Sequence, residues 1–461
     1  MAALPIVNPD ADELLQFHKR IIFGLLDKHI KIASYACDGT EVERAVQRLF
    51  VESAERVIRK VIKNPHSDLP DTVITVGVFQ GQPIVMIQDS KHGLKTFRNN
   101  LFSGTRLLTI GNFTALYRRI EALAYEEGSP LYHRDVHNLD RQDDNAAARL
   151  FSGPTIDFLS RAHPNFLGEI VYLFVFGELI DAYQNRHITH RERIKMVMRA
   201  RYFVDYWRMY LARTGYKEAQ YLISRESIDI VKYLIDGLIG LVAVYRDHHG
   251  GHVPLLPWLH STETCEHVFG EARKIMKDFT MLDFFYMMTK LRVKLRMAIL
   301  QSHQLDFKSR ASGYTHTYTD SKHINLAALS QYPTDVEIQD AAKEAMDETD
   351  SLFILLGVNV SILRAPAGTR TQLPSINSWL LNHQTTDEIE IDSEYDDLND
   401  NDDEDDTHED EVTELQAYMN LCQNDLSLPR EQFEKVTRLA CAAAALVADD
   451  MGRVYVSNTS P

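Results

Sequence analysis

The sequence predicts an α/β core interrupted by a large all-α insertion and followed by helical carboxyl-terminal segments, so the chain is mostly α overall. Three observations carry this. Two short apolar runs, Lys31 to Cys37 and Ile84 to Gln88, each deliver an aspartate, as strands of α/β sheets do at their carboxyl ends. Five segments between about Gly104 and His260 repeat apolar residues every three to four positions. Beyond about Ala365 the composition turns to Pro, Ser, Thr and Asn and then to acid.

In chain order, the first element is a helix from Asp12 to Leu26. The strand at Lys31 follows and delivers Asp38, with Gly39 beside it, where such sheets place active groups. After the run ending at Gln88 come Asp89 and a helical pattern that sets Lys91, Lys95 and Arg98 on one face, with His92 nearby. Helices are then expected at 112–127, 145–160, 167–184, 191–214 and 224–247. Phe203, Trp207 and Tyr210 form an apolar stripe that belongs in the core. Asp144 or Asn145 is expected to cap the second of these helices, the alternative for Asp140 to Asn145 being an acidic metal cluster. Asp247-His-His-Gly-Gly-His252 reads as a flexible loop, the alternative being a transition-metal site.

The stretch Leu256 to Gly270 places Glu263 and Glu266 three residues apart, on one face of a helix that Ser261 or Thr262 would cap. Two like charges on one face repel unless a cation, a basic partner or solvent relieves them. The pair is either an ordinary acidic first turn or a site for a hard divalent metal. Further on, Ser309 to Ser321 reads as a loop. Asp335 is expected to cap a helix through Leu355, with Gly357 as its stop. A linker of residues 365–386 precedes the acidic tract, and helices are expected at 414–422 and 429–449.

Charge is unevenly distributed. The 461 residues hold 66 acidic and 49 basic side chains. Between Asp387 and Glu414 there are 17 acids and no Lys or Arg, so removing those 17 from 66 leaves 49 acids against 49 bases. Such a tract cannot bury itself and is either a solvating linker or an interaction tail that mimics nucleic acid toward its own core or a basic protein partner. Arg191, Lys195 and Arg199 line one helical face, and Lys290, Arg292, Lys294 and Arg296 crowd another. These would contact phosphates in a DNA-binding protein, or form solvated helix faces in any other. Four cysteines without paired spacing argue against a disulfide framework or structural zinc. No apolar run approaches the roughly 20 residues that cross a bilayer, and no basic-then-apolar leader is evident, so a soluble, intracellular protein is expected.

Three blocks together resemble the P-element type of transposase, the group that includes the THAP-domain transposases. Ala-Cys-Asp38-Gly resembles the strand end carrying a catalytic Asp. Asp89 to Asn99 matches Asp-x-x-His-x-x-Lys-x-x-Arg-Asn, and Glu263, Glu266, Phe269 and Gly270 match Asp/Glu-x-x-Glu-x-x-Phe-Gly. The match covers roughly residues 10 to 300. It implies a partial RNase H-like core with a mixed sheet, DNA as partner, a nuclear location, and Asp38 and Glu266 as catalytic, metal-binding carboxylates with Glu263 auxiliary. Mg²⁺ or Mn²⁺ would be the cofactor, two ions about 3.5 to 4 Å apart activating the nucleophile and stabilising the leaving oxygen. Asp89, His92, Lys95 and Arg98 would be structural or phosphate-contacting neighbours, with Lys91 beside them.

The resemblance also implies a guanine-nucleotide site within the helical insertion. No Gly-x-x-x-x-Gly-Lys-Ser/Thr loop occurs there, so GTP is not supported by these residues. The family's first catalytic Asp lies on hairpin strands upstream of the Asp38 strand. Only the helix at 12–26 precedes Lys31 here, and the zinc module of the family is missing too. An incomplete or decayed copy is therefore expected, with a helical DNA- or protein-binding scaffold as the alternative to a working enzyme. The expected organisation is 1–103, first half of the core; 104–255, helical insertion; 256–305, the final catalytic-type helix; 306–364, helical extension; 365–413, linker and acidic tract; and 414–461, a helical element through which the chain could oligomerise.

Overall fold

The computed structural model describes residues 10–137, 140–302 and 324–365, without the side chains of residues 298–302. The polar loop expected at 309–321, the acidic tract and the helices expected at 414–422 and 429–449 lie outside the described residues.

The first element is α1 (Ala11–Leu26), capped by Asp10, whose carboxylate accepts from Glu13 N at 2.8 Å. Next come β1 (Ser34–Cys37) and α2 (Glu41–Glu52), the latter opened by a Thr40–Glu43 capping box. An antiparallel meander follows: β2 (Arg56–Ile62), β3 (Thr72–Phe79) and β4 (Gln82–Gln88). The sheet order is β1-β4-β3-β2, with β1 parallel to β4, and the sheet is therefore mixed. The strands β2 and β3, not expected from the sequence, lie between Asp38 and the β4 run. One sheet face packs against α1 and α2 through Leu15, Ile22, Phe50, Phe79 and Ile84.

Helix α3 (Ser90–Phe102) leaves β4 directly. A short hairpin, β5 (Leu108–Ile110) and β6 (Phe113–Ala115), occupies part of the range expected to be helical from Asn112. Only α4 (Tyr117–Leu123) and α5 (His133–Val136) remain helical before residue 138. The helix expected at 145–160 is two helices, α6 (Asp144–Leu150) and α7 (Gly153–Ala162), because Ser152 starts a new cap and Pro154 cannot continue the old ladder. The cap of α6 is Asp143 rather than Asp144 or Asn145, its carboxylate accepting from Asn145 N and Ala146 N.

The centre is built from α8 (Leu167–Gln184) and α9 (His190–Thr214), followed by α10 (Glu218–Tyr221) and α11 (Arg225–His248). Helix α8 is apolar nearly all round and is buried on all sides, as such a helix must be in water. Its Phe176 packs on Phe97 of α3, and Gly237 and Gly240 let α11 lie close on Ile87 and Val85 of the sheet. Phe203, Trp207 and Tyr210 are core residues, and the Trp207 indole donates to Thr109 O at 2.6 Å. Each such side chain contributes roughly 1.5–3 kcal/mol through burial.

Beyond residue 260 lie α12 (Glu263–Ile275) and α13 (Met281–Ser302), which pair through Ala272, Phe284, Met287 and Leu291. Past Ile324 come α14 (Asp335–Leu355) and α15 (Val360–Arg364). Thr334, not Asp335, caps α14, and Gly357 with φ +77° ends it.

Helix α14 corrects the expected DNA contacts on α9. Arg191 pairs with Glu344 at 2.5 Å, Lys195 with Glu192 and Glu348, and the fully buried Arg199 with Glu348 at 2.6 Å and Glu178 at 3.3 Å. The basic face that resembled a phosphate-binding row is the seat of an acidic helix. Unpaired, the buried Arg199 would carry a large desolvation penalty.

Two tests of stability follow from this packing. A Cβ at Gly168 would sit 2.9 to 3.1 Å from backbone atoms of Thr114 and Ala115, whereas one at Gly24 meets nothing within 4 Å. Gly168→Ala is expected to destabilise by about 1–3 kcal/mol and Gly24→Ala to stabilise by roughly 0.5–1 kcal/mol, read from denaturant midpoints. His190 is fully buried, Nε2–H donating to Leu329 O at 2.9 Å, and burial pushes its pKa from 6.5 down to about 4. The folded state refuses a proton that the unfolded chain accepts, so stability is full above pH 6.5 and is lost as pH falls toward 4. That loss amounts to roughly 3 kcal/mol and should shrink in His190→Gln.

Candidate metal centre

Parallel pairing sets Cys37 opposite Gln88, so the residues that follow, Asp38 and Asp89, emerge at the same sheet edge. Asp89 N donates to Cys37 O at 2.9 Å, extending the ladder by one bond. Gly39 turns away with φ +93°, and a Cβ there would collide with the Gln88 amide, which itself donates to Cys37 O. Only glycine suits this bend. Arg44 of α2 closes over it, donating to Gly39 O and pairing with Glu226 at 2.9 Å.

Asp89 joins three elements. Its Oδ1 accepts from Lys91 N at 2.8 Å and from His92 N at 3.4 Å, capping α3, while Oδ2 accepts from Thr262 N at 2.8 Å and Thr262 Oγ1 at 2.7 Å. The second pair of bonds brings the start of α12 onto the strand ends. Thr262 is therefore turned to Asp89 instead of capping its own helix, and Ser261 Oγ accepts from Glu263 N at 3.4 Å. A second tie runs from Ser34 Oγ of β1 to His260 Nδ1 at 2.7 Å.

The result is a cluster of Asp38, His92 and Glu266, one ligand atom from each lying within 4.8 Å of the others. His92 Nδ1 is 3.8 Å from Asp38 Oδ1 and 3.9 Å from Glu266 Oε1. Asp38 Oδ1 is buried and has no hydrogen-bond partner among the described residues. Partial burial and the Asp89 carboxylate push the Glu266 carboxyl above its ordinary range, while His92 and Lys95 pull it back. An orphaned carboxylate oxygen, a carboxyl disfavoured in its charged form and an imidazole facing both are a donor set that fits a divalent cation.

Glu263, expected as an auxiliary ligand, stands apart from this group. It is buried and pairs with Lys91 Nζ at 2.8 Å, with His267 3.6 Å away. His92 takes the third position. The cations expected to meet phosphates on α3 are likewise committed inward: Lys91 to Glu263, Lys95 to Asp144 at 3.1 Å, and Arg98 to the carbonyls of Asp135 and Asp140, both at 2.9 Å. Burial makes each of them a poor phosphate contact. Lys290 and Arg292 are exposed, and Lys294 is half-exposed beside Glu271 at 3.9 Å. Asp247 to His252 forms no metal cluster among the described residues: Asp247 is held by Arg246, and Gly250 and Gly251 both take positive φ.

No family model matches the chain, and no curated protein matches it. Among solved structures, the chain is similar to the Drosophila P element transposase strand transfer complex at 15% identity with a TM-score of 0.44, over 61% of this chain and 63% of that one. It therefore spans less than two thirds of the length of that structure's chain.

A cation held by Asp38, His92 and Glu266 should stabilise the protein, by about 2.7 kcal/mol at a hundredfold excess over Kd. Thermal melts with and without Mn²⁺ or Mg²⁺ should show that gain, and Glu266→Gln should abolish it. Thr262→Val, which removes one bond to Asp89 without touching a ligand, should weaken the metal Kd by roughly tenfold.

Proposed function

We propose that this chain is a transposase-derived protein whose strand-end site binds a divalent cation and engages the phosphodiester backbone of DNA in the nucleus. The observation that carries this reading is the convergence of Asp38 and Glu266, 228 positions apart, on one imidazole. The motif blocks that resemble the P-element transposases meet at that point. A bound Mg²⁺ or Mn²⁺ would supply Lewis acidity and an activated water. Asp38 and Glu266 would hold it through carboxylate oxygens and His92 through a ring nitrogen, a donor that favours Mn²⁺ over the strictly oxygen-seeking Mg²⁺. Asp89 positions both carriers, α3 through its cap and α12 through Thr262.

DNA would be met by Lys290, Arg292 and Lys294 on α13, which packs against the helix carrying Glu266. Exposed cations there attract phosphates without reading bases. A second reading, a scaffold that holds metal and DNA without cutting, is favoured by one observation: the described residues contain one three-ligand cluster, whereas strand chemistry of this type uses two cations.

The deciding experiment is Mn²⁺-dependent nicking of labelled duplex DNA. Under the enzymatic reading the wild type nicks, and Asp38→Asn and Glu266→Gln each lose about a hundredfold or more in rate. Undiminished nicking by Glu266→Gln removes that residue from the chemistry. Metal-dependent stabilisation and salt-sensitive DNA retention without nicking support the scaffold.

A further inference from the structure

Helix α13 has two faces. Phe284, Met287 and Leu291 are buried against α12. On the opposite side Leu282, Tyr286, Val293 and Met297, at helical spacing, form an apolar stripe with relative exposures of 61, 79, 59 and 47%. Cations border this stripe on both sides: Lys290 and Lys294 lie along one edge, Arg292 and Arg296 along the other. Large exposed apolar side chains in a contiguous row mark a contact surface. Phosphates would satisfy the cations and leave the stripe in water. A second copy laid on the same face would set basic rows against basic rows.

We infer that this face docks residues 409–422 of the same chain. That segment carries Glu409, Asp410, Glu411 and Glu414 and no Lys or Arg, and its Val412, Leu415, Met419 and Cys422 recur every three to four residues. In a helix these four would share one face, flanked by acid, which complements α13 in both hydrophobicity and charge. The 43 residues from 366 to 408 span up to about 140 Å when extended, enough to reach any face of the protein. The α13 cations are thereby covered, and DNA competes with the chain's own acidic segment for them. The acidic tract then has a defined target beside the helix that carries Glu266.

Zero-length carbodiimide cross-linking of the full chain, without divalent metal or DNA, tests this separately from the metal site. The expected products join Lys290 or Lys294 to Glu409, Asp410, Glu411 or Glu414 within one molecule, so a mixture of light and heavy-isotope protein yields no mixed pairs. Leu415→Asp with Met419→Asp, and separately Val293→Asp on the exposed side of α13, leave every linking group in place. Each should lower the yield about tenfold by setting a charge into the apolar contact. Absence of these links, mixed-isotope links alone, or yields unchanged in both variants would overturn the assignment.

Discussion

One carboxylate, Asp89, holds the strand ends, α3 and α12 together. It terminates β4, caps α3 and receives two hydrogen bonds from Thr262, 173 positions away. Bonds to an ionised acceptor are roughly twice as strong as neutral ones, and Asp89 is almost wholly buried, where competing water is excluded. If Thr262 let go, Glu266 would lose its fixed distance from Asp38, because α12 otherwise packs chiefly against α13. The Lys91–Glu263 pair and the Ser34–His260 bond support the same seam, yet neither links strand end, α3 and α12 at once.

Around that seam the protein pairs its buried charges individually. Glu169 is fully buried but accepts from Leu116 N and from Arg119, and Arg149 grips Asp135. Arg193, also fully buried, donates to the carbonyls of Ala182 and Asn185. Each arrangement offsets a desolvation cost that would otherwise exclude the charge from a core this apolar. Asp38 Oδ1 is one of several buried polar atoms without a hydrogen-bond partner among the described residues, Arg98 Nε and Arg193 Nε being others; what sets it apart is its place, where two carboxylates face one imidazole and the Glu266 carboxyl is raised. Local strain of this kind is what a cation would relieve.

Long helices with strong periodicity could be read directly. The bounds of α8 coincide with those expected from apolar spacing, α9 and α14 each begin one residue earlier, and α11 is shifted by one residue at both ends. The turn at Asp38–Gly39 and the Asp89 that opens α3 were likewise expected, because strand-end aspartates beside a glycine or a helix start are local features. Short strands were harder. Hairpin β5–β6 has three residues per strand, too few to establish a period against the neighbouring helical pattern, and the meander β2–β3 was not anticipated at all.

What the sequence alone determined is where the candidate charges lie: Asp38, Glu263 and Glu266 as candidate metal-binding carboxylates, Asp89 and His92 as their expected neighbours, and the positively charged rows. Which of them lie together was decided by tertiary structure. His92 joins the cluster and Glu263 leaves it because α12 docks with Glu263 paired to Lys91 and Glu266 facing His92, a geometry set by contacts more than 170 positions apart. Arg199 and Arg98 are internal because α14 and the carbonyls of Asp135 and Asp140 meet them in the fold. A side chain's charge is written in its residue type. Its partner, and hence whether that charge is structural or open to a ligand, exists only once distant segments are brought together.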